Sequence, residues 1–319
     1  MRIGIFGAAD DAQCQTFSQV AARLGVDTVL VAHDALDHGV PLSFVEGSVH
    51  YQRGSLDDVR GFYVRYIPAP YAPAMQRDNQ LVLYEDWHTT FMQTRERATL
   101  YVSWLLALQH RGVALVNPPH AASVIQFKPF QLHVLRSMGA RVPRTLISND
   151  PERIRQFKRE VGDVIFKPVT GGALTQSLDQ EAMSQLELVT ASPVIFQERV
   201  PGEDVRVTLV GDRVVSCVEI GASGALDYRD DPLYTSGRAE YREVVLPEPV
   251  LDFCRRAARE CGLLFTGIDI KRSGQDCVFL ELNSSPIYLE VELSTGHPIT
   301  EELVRFIIER ARRSNIQGP

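Results

Sequence analysis

Along most of the chain, short apolar runs alternate with longer stretches in which apolar residues return every three or four positions. Arg2 to Phe6 is an apolar run closed by Gly7, Ala12 to Leu24 is amphipathic at helical spacing, and Thr28 to Ala32 is apolar again. That order predicts a strand, a helix and a second strand of an α/β unit. After a polar region, Gly61 to Ile67 predicts another strand, followed by Pro68, Pro70 and Pro73, which neither a helix nor a central strand accommodates. Between Tyr84 and His110 the residues Trp87, Phe91, Leu100, Trp104, Leu105 and Leu108 recur at helical spacing, so both tryptophans are expected in a core. Gly112 ends that helix, and Val113 to Asn117 predicts a strand closing on Pro118 and Pro119, where a first domain, 1–117, is expected to end.

Beyond it the pattern changes to helices set between hairpins. Phe127 to Met138 predicts a helix with Pro129 in its first turn, where a missing N–H is harmless. Arg144 to Ile147 predicts a strand, and Ser148-Asn149-Asp150-Pro151 a cap for a helix over Glu152 to Val161. Asp163 to Phe166 is a strand that delivers Lys167 toward Gly171 and Gly172. Pro193 to Val200 predicts a strand, Pro201-Gly202 a turn, and Val205 to Val210 with Arg213 to Ile220 a hairpin. Gly221 to Glu240 is polar and reads as a loop, Pro249 to Gly262 as a helix. Thr266 to Ile270 and Phe279 to Pro286 form a further hairpin turned at Ser273-Gly274, and Glu301 to Arg312 a closing helix.

Composition narrows the class. A chain of 319 residues with 45% hydrophobic content predicts about two packed domains. A formal net charge of -7 argues against a protein that grips nucleic acid or anionic membrane by bulk electrostatics. The five cysteines are scattered without a C-x-x-C pair, which indicates reduced thiols rather than a disulfide framework or a zinc site. The chain opens directly on a strand, and its longest greasy segment, Tyr101 to Leu108, is too short to span a bilayer. A cytoplasmic location is expected.

The chemistry lies at strand ends. Asp269, Glu281 and Asn283 sit among residues that otherwise look buried. Two carboxylates and an amide oxygen make a hard-oxygen set suited to Mg2+ held jointly with phosphates; the alternative is the solvated face of an amphipathic hairpin. Lys128 falls at a helix N-terminus, where a cation calls for a nearby anion. Lys167 before a glycine-containing loop suits polyphosphate oxygens, or else snorkels beside that loop. Arg65 at a strand end is either an anion contact or a surface arginine. Neither G-x-G-x-x-G nor G-x-x-x-x-G-K-[ST] occurs, so dinucleotide and P-loop sites are set aside.

Taken in order, Lys128, Lys167, Gln197-Glu198-Arg199-Val200, Gly202-Glu203-Asp204-Val205-Arg206, Gly267-Ile268-Asp269 and Glu281-Leu282-Asn283-Ser284-Ser285-Pro286 resemble the ATP-grasp superfamily. The likeness covers about Val116 to Arg310 and is nearest to the ribosomal-protein glutamate ligases and to the graspetide (microviridin-type) macrocyclases. The Arg141 to Asn149 and Tyr288 to Ile299 segments lean to the macrocyclases, whereas Glu281 to Pro286 follows the glutamate-ligase form. The resemblance implies an α/β (α+β) ATP-grasp fold: an N-terminal α/β domain (1–117), then central (118–198) and C-terminal (199–319) parts clasping ATP. It implies that Lys128 and Lys167 bind phosphate, that Gln197, Glu198 and Val200 meet the adenine, and that Glu203 or Asp204 holds the ribose. Arg206 and Arg229 would lie near the transferring phosphate, and Asp269, Glu281 and Asn283 would hold Mg2+, two ions replaceable by Mn2+.

The implied activity is that of an ATP-dependent carboxylate ligase. A carboxylate becomes an acylphosphate, and an amine or hydroxyl, on a ribosomal peptide or a small amino compound, then forms an amide or ester. A homodimer is expected, with neither nucleic acid nor membrane as partner. An ATP-grasp kinase and an inactive nucleotide-binding subunit are the alternatives. Glu290, Glu292 and His297 are open between substrate contact and solvation.

Overall fold

The computed structural model describes all residues except 35, 37–38, 53, 66–86, 171–172, 222–225 and 315–319, and of 87, 88 and 90 the backbone only. The expectations for Tyr66-Ile67, for Pro68 to Pro73, for Tyr84 and for Gly171-Gly172 lie outside the described residues. In chain order the elements are β1 (Arg2–Gly7), α1 (Ala12–Arg23), β2 (Asp27–Ala32), β3 (Leu42–Val45), β4 (Ser48–Tyr51), β5 (Gly54–Ser55), β6 (Val59–Val64) and α2 (Trp87–His110). Then follow β7 (Ala114–Val116), α3 (Pro119–Val124), α4 (Lys128–Ser137), β8 (Thr145–Ser148), α5 (Pro151–Val161), β9 (Val164–Pro168), β10 (Gln176–Ser177), α6 (Gln180–Ser184) and β11 (Val194–Glu198). The chain continues through β12 (Glu203–Val210), β13 (Arg213–Ile220), α7 (Pro232–Thr235), β14 (Tyr241–Glu243), α8 (Glu248–Glu260), β15 (Phe265–Ser273), β16 (Asp276–Asn283), α9 (Leu289–Thr295) and α10 (Ile299–Arg313).

Two compact units result, residues 1–123 with 300–319, and residues 124–299. The first is built on a parallel sheet in the order β2-β1-β6-β7. Its strands are apolar because both faces are covered. Phe6, Phe62 and Trp104 meet edge to face, Trp104 lying 5.4 Å from Phe6 and 5.5 Å from Phe62, so Trp104 is core as expected, and truncating it would cost about 3–5 kcal/mol. A side chain at Gly4 would collide with the Phe62 ring. Helix α10 belongs to this unit: Ile307 and Ala311 approach Gly61, where a Cβ would stand 2.9 Å from Ile307. This helix falls within the part expected at 199–319, yet it clusters with the first unit because its apolar side, distant in sequence from β6, packs there. Strands β3 to β5 form a small antiparallel sheet in the stretch read from sequence as merely polar; strands of two to four residues are too short to show a period.

The second unit contains two antiparallel sheets, β10-β9-β11-β8 and β14-β13-β12-β15-β16. Asp150 caps α5 by accepting from the N–H groups of Glu152 and Arg153, as the Ser148 to Pro151 segment predicts. Ile154 of that helix joins Val164, Leu178, Leu186 and Phe196 in one core. Behind the larger sheet, Phe253 of α8 packs on Phe279 of β16 with ring centroids 4.6 Å apart. The turn between β11 and β12 requires glycine: Gly202 has φ +131°, and a Cβ there would meet Arg272 O at 2.3 Å.

Candidate active site

Strand pairing assembles the site. Arg206 on β12 is directly opposite Asp269 on β15, which is opposite Glu281 on β16, and Gly267 is opposite Asn283. Because strand side chains alternate, this register places Arg206, Asp269, Glu281 and Asn283 on one face. The two expected metal carboxylates and the amide are thus neighbours. Asn283 Nδ2 donates to Asp269 Oδ2 at 3.1 Å. Arg206 grips the same carboxylate with two bonds, Nε to Oδ1 at 2.8 Å and Nη2 to Oδ2 at 2.9 Å, a fork-to-carboxylate geometry that lysine cannot reproduce.

Lys128, the first residue of α4, reaches Glu281 Oε2 at 2.8 Å. That is the anion its place at a helix N-terminus called for. Helix α4 is held to β16 by Gln131, which is buried: its Nε2 donates to Leu282 O and its Oε1 accepts from Leu282 N, both at 2.9 Å. A side chain here completes a strand edge. Sequence reasoning passes over Gln131, since a lone glutamine in a helix shows no partner.

Lys167, next to last in β9, lines the same cleft. Burial, helped by the Lys128 charge, pushes its ammonium down to about 8. Burial alone would raise Glu281; the charges of Lys128 and Lys167 outweigh it and hold the carboxyl below its ordinary value. Arg229 is joined to Asp227 by bonds of 2.8 and 2.5 Å, and Asp227 also accepts from Thr175 N at 3.2 Å. Tyr228 accepts at its hydroxyl from Arg206 Nη2 at 2.7 Å. Asp227 and Tyr228 appear from sequence only as loop residues; a tyrosine flanked by Asp and Arg in a polar loop is the available signal.

These groups surround a cleft of about 550 Å³. Ile165, Val200 and Leu280 give it apolar wall, and Lys128, Lys167, Arg229, Asp204, Asp269 and Glu281 its charge. Gln197 and Glu198 also line it. Gln197 is buried and donates to Thr145 Oγ1 at 3.0 Å, and Glu198 N donates to Arg144 O at 2.9 Å. Of the two ribose candidates only Asp204 lines the cleft, where Lys271 Nζ meets it at 2.8 Å. Glu203 is corrected: alternation along β12 turns it to the other face, where it pairs with Arg272.

The donor set fits a nucleotide with Mg2+. Two carboxylates and an amide oxygen share one face of the sheet, and cations stand beside them, suited to phosphate oxygens.

Comparison with known proteins points the same way. The model of the RimK-like ATP-grasp domain matches residues 126–307. A probable alpha-L-glutamate ligase of Teredinibacter turnerae is 28% identical over 253 residues, 75% of this chain and 82% of that protein. Another, of Shewanella amazonensis, is 30% identical over 220 residues, 65% of this chain and 71% of the relative. The ATP-grasp ligase PsnB, complexed with a minimal precursor, superposes with a TM-score of 0.82 at 31% identity over 97% of this chain and 99% of PsnB. The macrocyclase MdnC of Microcystis aeruginosa, bound with a precursor peptide, shares the fold, with a TM-score of 0.79 at 18% identity over 97% of this chain and 100% of MdnC. With the fold and these likenesses in agreement, the chain belongs to the RimK-like ATP-grasp family and is an ATP- and Mg2+-dependent carboxylate ligase.

Proposed function

We propose that this ligase acts on a peptide, activating a side-chain or terminal carboxylate and joining it to an amine or hydroxyl. The observation that carries the peptide reading is the likeness, over nearly the whole length of both chains, to PsnB in complex with its precursor. In this reading the two antiparallel sheets of the second unit are the two halves of the ATP clasp.

In this reading Lys128 and Lys167 bind the β- and γ-phosphates, and Ile165, Val200 and Leu280 enclose the adenine beside Gln197 and Glu198. Asp204 takes the ribose hydroxyls. The carboxylate attacks the γ-phosphorus, and charge accumulates on the phosphoryl oxygens. Arg206 and Arg229, held at the cleft by Asp269 and Asp227, supply the positive charge that meets it. Asp269, Glu281 and Asn283 would hold Mg2+, which offsets phosphate charge when bound; two ions are proposed, with Mn2+ as a substitute. The amine or hydroxyl then displaces phosphate from the acylphosphate. The free state of all five cysteines fits work in a reducing cytoplasm, and a homodimer is the proposed assembly.

The test is incubation with ATP, Mg2+ and acidic peptides encoded beside the gene, read by mass spectrometry. Loss of one water per bond, with release of ADP and phosphate, is expected. A phosphorylated product would replace the ligase reading by a kinase, and an absence of ATP turnover would point to an inactive subunit.

A further inference from the structure

Register brings two more side chains to the Arg206 face. Arg206 is opposite Val218 and Val218 opposite Glu243; two pairs along, Asp204, Ile220 and Tyr241 form the next row on the same face. Tyr241 therefore projects from the same side of the sheet as Arg206 and Asp204, two strand spacings or about 10 Å from Asp204. Its hydroxyl donates to Glu290 Oε2 at 2.9 Å. Glu290 lies in the first turn of α9, shortly after the strand that carries Glu281 and Asn283. Arg206 Nη1 donates to Ile287 O at 3.3 Å, which ties the approach to that helix to the phosphate-facing arginine.

Tyr234 occupies the ground between. Its ring meets that of Tyr228 edge on at 5.0 Å, and its phenol is pushed up by burial while sensing both Arg206 and Glu290. A polar row thus runs from Asp269 through Arg206, Tyr228 and Tyr234 to Glu290 and Tyr241. Tyr228 belongs to the nucleotide cleft, whereas Tyr234, Tyr241 and Glu290 do not line it. Glu290 is a half-buried carboxylate in the first turn of α9, within the electrostatic reach of Tyr234, whose ring packs on Tyr228 of the cleft wall. Burial and the Glu290 charge push the Tyr241 phenol up, so it remains an O–H donor and orients one carboxylate oxygen. The other oxygen has no hydrogen-bond partner among the described residues.

We infer that Glu290, oriented by Tyr241, is the proton acceptor for the nucleophile that attacks the acylphosphate. This rests on the ligase reading. As the C–N or C–O bond forms and the acyl C–O bond to phosphate breaks, the electron pair leaves with phosphate. The proton of the amine or hydroxyl passes to the Glu290 carboxylate and from there to solvent.

The experiment compares the wild type with Glu290→Gln and Tyr241→Phe, using a peptide that the wild type dehydrates, with and without hydroxylamine. Hydroxylamine is nucleophilic at neutral pH and traps an acylphosphate as a hydroxamate without a base. Glu290→Gln is expected to keep its thermal shift with ADP and Mg2+, and hydroxamate formation within about twofold, while ligation falls roughly a hundredfold. Tyr241→Phe should lose about tenfold in ligation, since only orientation is removed. Ligation by Glu290→Gln at the wild-type rate overturns the inference, and so does parallel loss of hydroxamate and ligation, which would mark a structural or activating role. If the wild type yields neither dehydrated peptide nor hydroxamate, the ligase reading itself fails and takes this inference with it.

Discussion

Lys128 and Glu281, 153 residues apart in the chain, meet in an ion pair of 2.8 Å in the cleft. The same arrangement recurs in the pairing of Arg206 with Asp269. In each case a cation expected to meet phosphate neutralises a carboxylate expected to meet Mg2+. In the proposed reading nucleotide and metal would exchange these partners together, since a metal alone would face the neighbouring cations and a nucleotide alone the acids.

Glu281→Gln should abolish ATP consumption, lowering turnover roughly a hundredfold or more, while the fold survives. Circular dichroism would establish the fold and ADP release the turnover. Near-normal turnover would mean that Glu281 is not a metal ligand.

Asp204 and Glu203 separate by strand alternation. Asp204→Asn should raise the KM for ATP about tenfold, in line with losing a charged hydrogen bond worth about 1.5–3 kcal/mol. Glu203→Gln, whose side chain pairs with Arg272 away from the cleft, should leave KM unchanged. Steady-state kinetics on both variants decides, and equal effects would defeat the assignment.

Lys167 makes nucleotide binding pH-dependent. Its ammonium, ordinarily near 10.5, is pushed down to about 8 by burial. Between about 8 and 10.5 the unfolded chain binds a proton that the folded chain lacks, so stability rises with pH across that window, and below it both states are protonated and the cost of the buried charge is constant. Phosphate favours the charged form. At pH 8, binding of ATP with Mg2+ should take up about half a proton, seen by calorimetry in buffers of different ionisation enthalpy. Lys167→Arg should abolish the uptake, because arginine is already charged; a buffer-independent enthalpy in the wild type would refute it.

Gln131→Leu removes the amide that satisfies both Leu282 N and Leu282 O. Each buried backbone group left unpaired costs about 1–3 kcal/mol. Urea unfolding should show a loss in that range or above, and ATP affinity should fall as well, since Lys128 rides on the same helix. Unchanged stability would show that α4 docks by other contacts.

Legibility followed the range of the interactions. The hairpin carrying Asp269, Glu281 and Asn283 could be read because strand alternation is local, and the Asp150 cap because capping spans a few residues. Gln131, Asp227 and Tyr228 could not, since each owes its place to a partner far along the chain: Leu282, Thr175 and Arg206 respectively. The small β3 to β5 sheet escaped for a different reason, its strands being shorter than one clear repeat of the pattern.

By itself the amino-acid order determined which side chains were available, on which kind of element, and in what succession, because periodicity, caps and turns are properties of neighbours. Only the tertiary structure decided that Lys128 pairs with Glu281, that Asp204 rather than Glu203 enters the cleft, and that α10 packs with the first unit. Those outcomes depend on strand register and helix docking, where burial and charge pairing between residues remote in sequence select one arrangement.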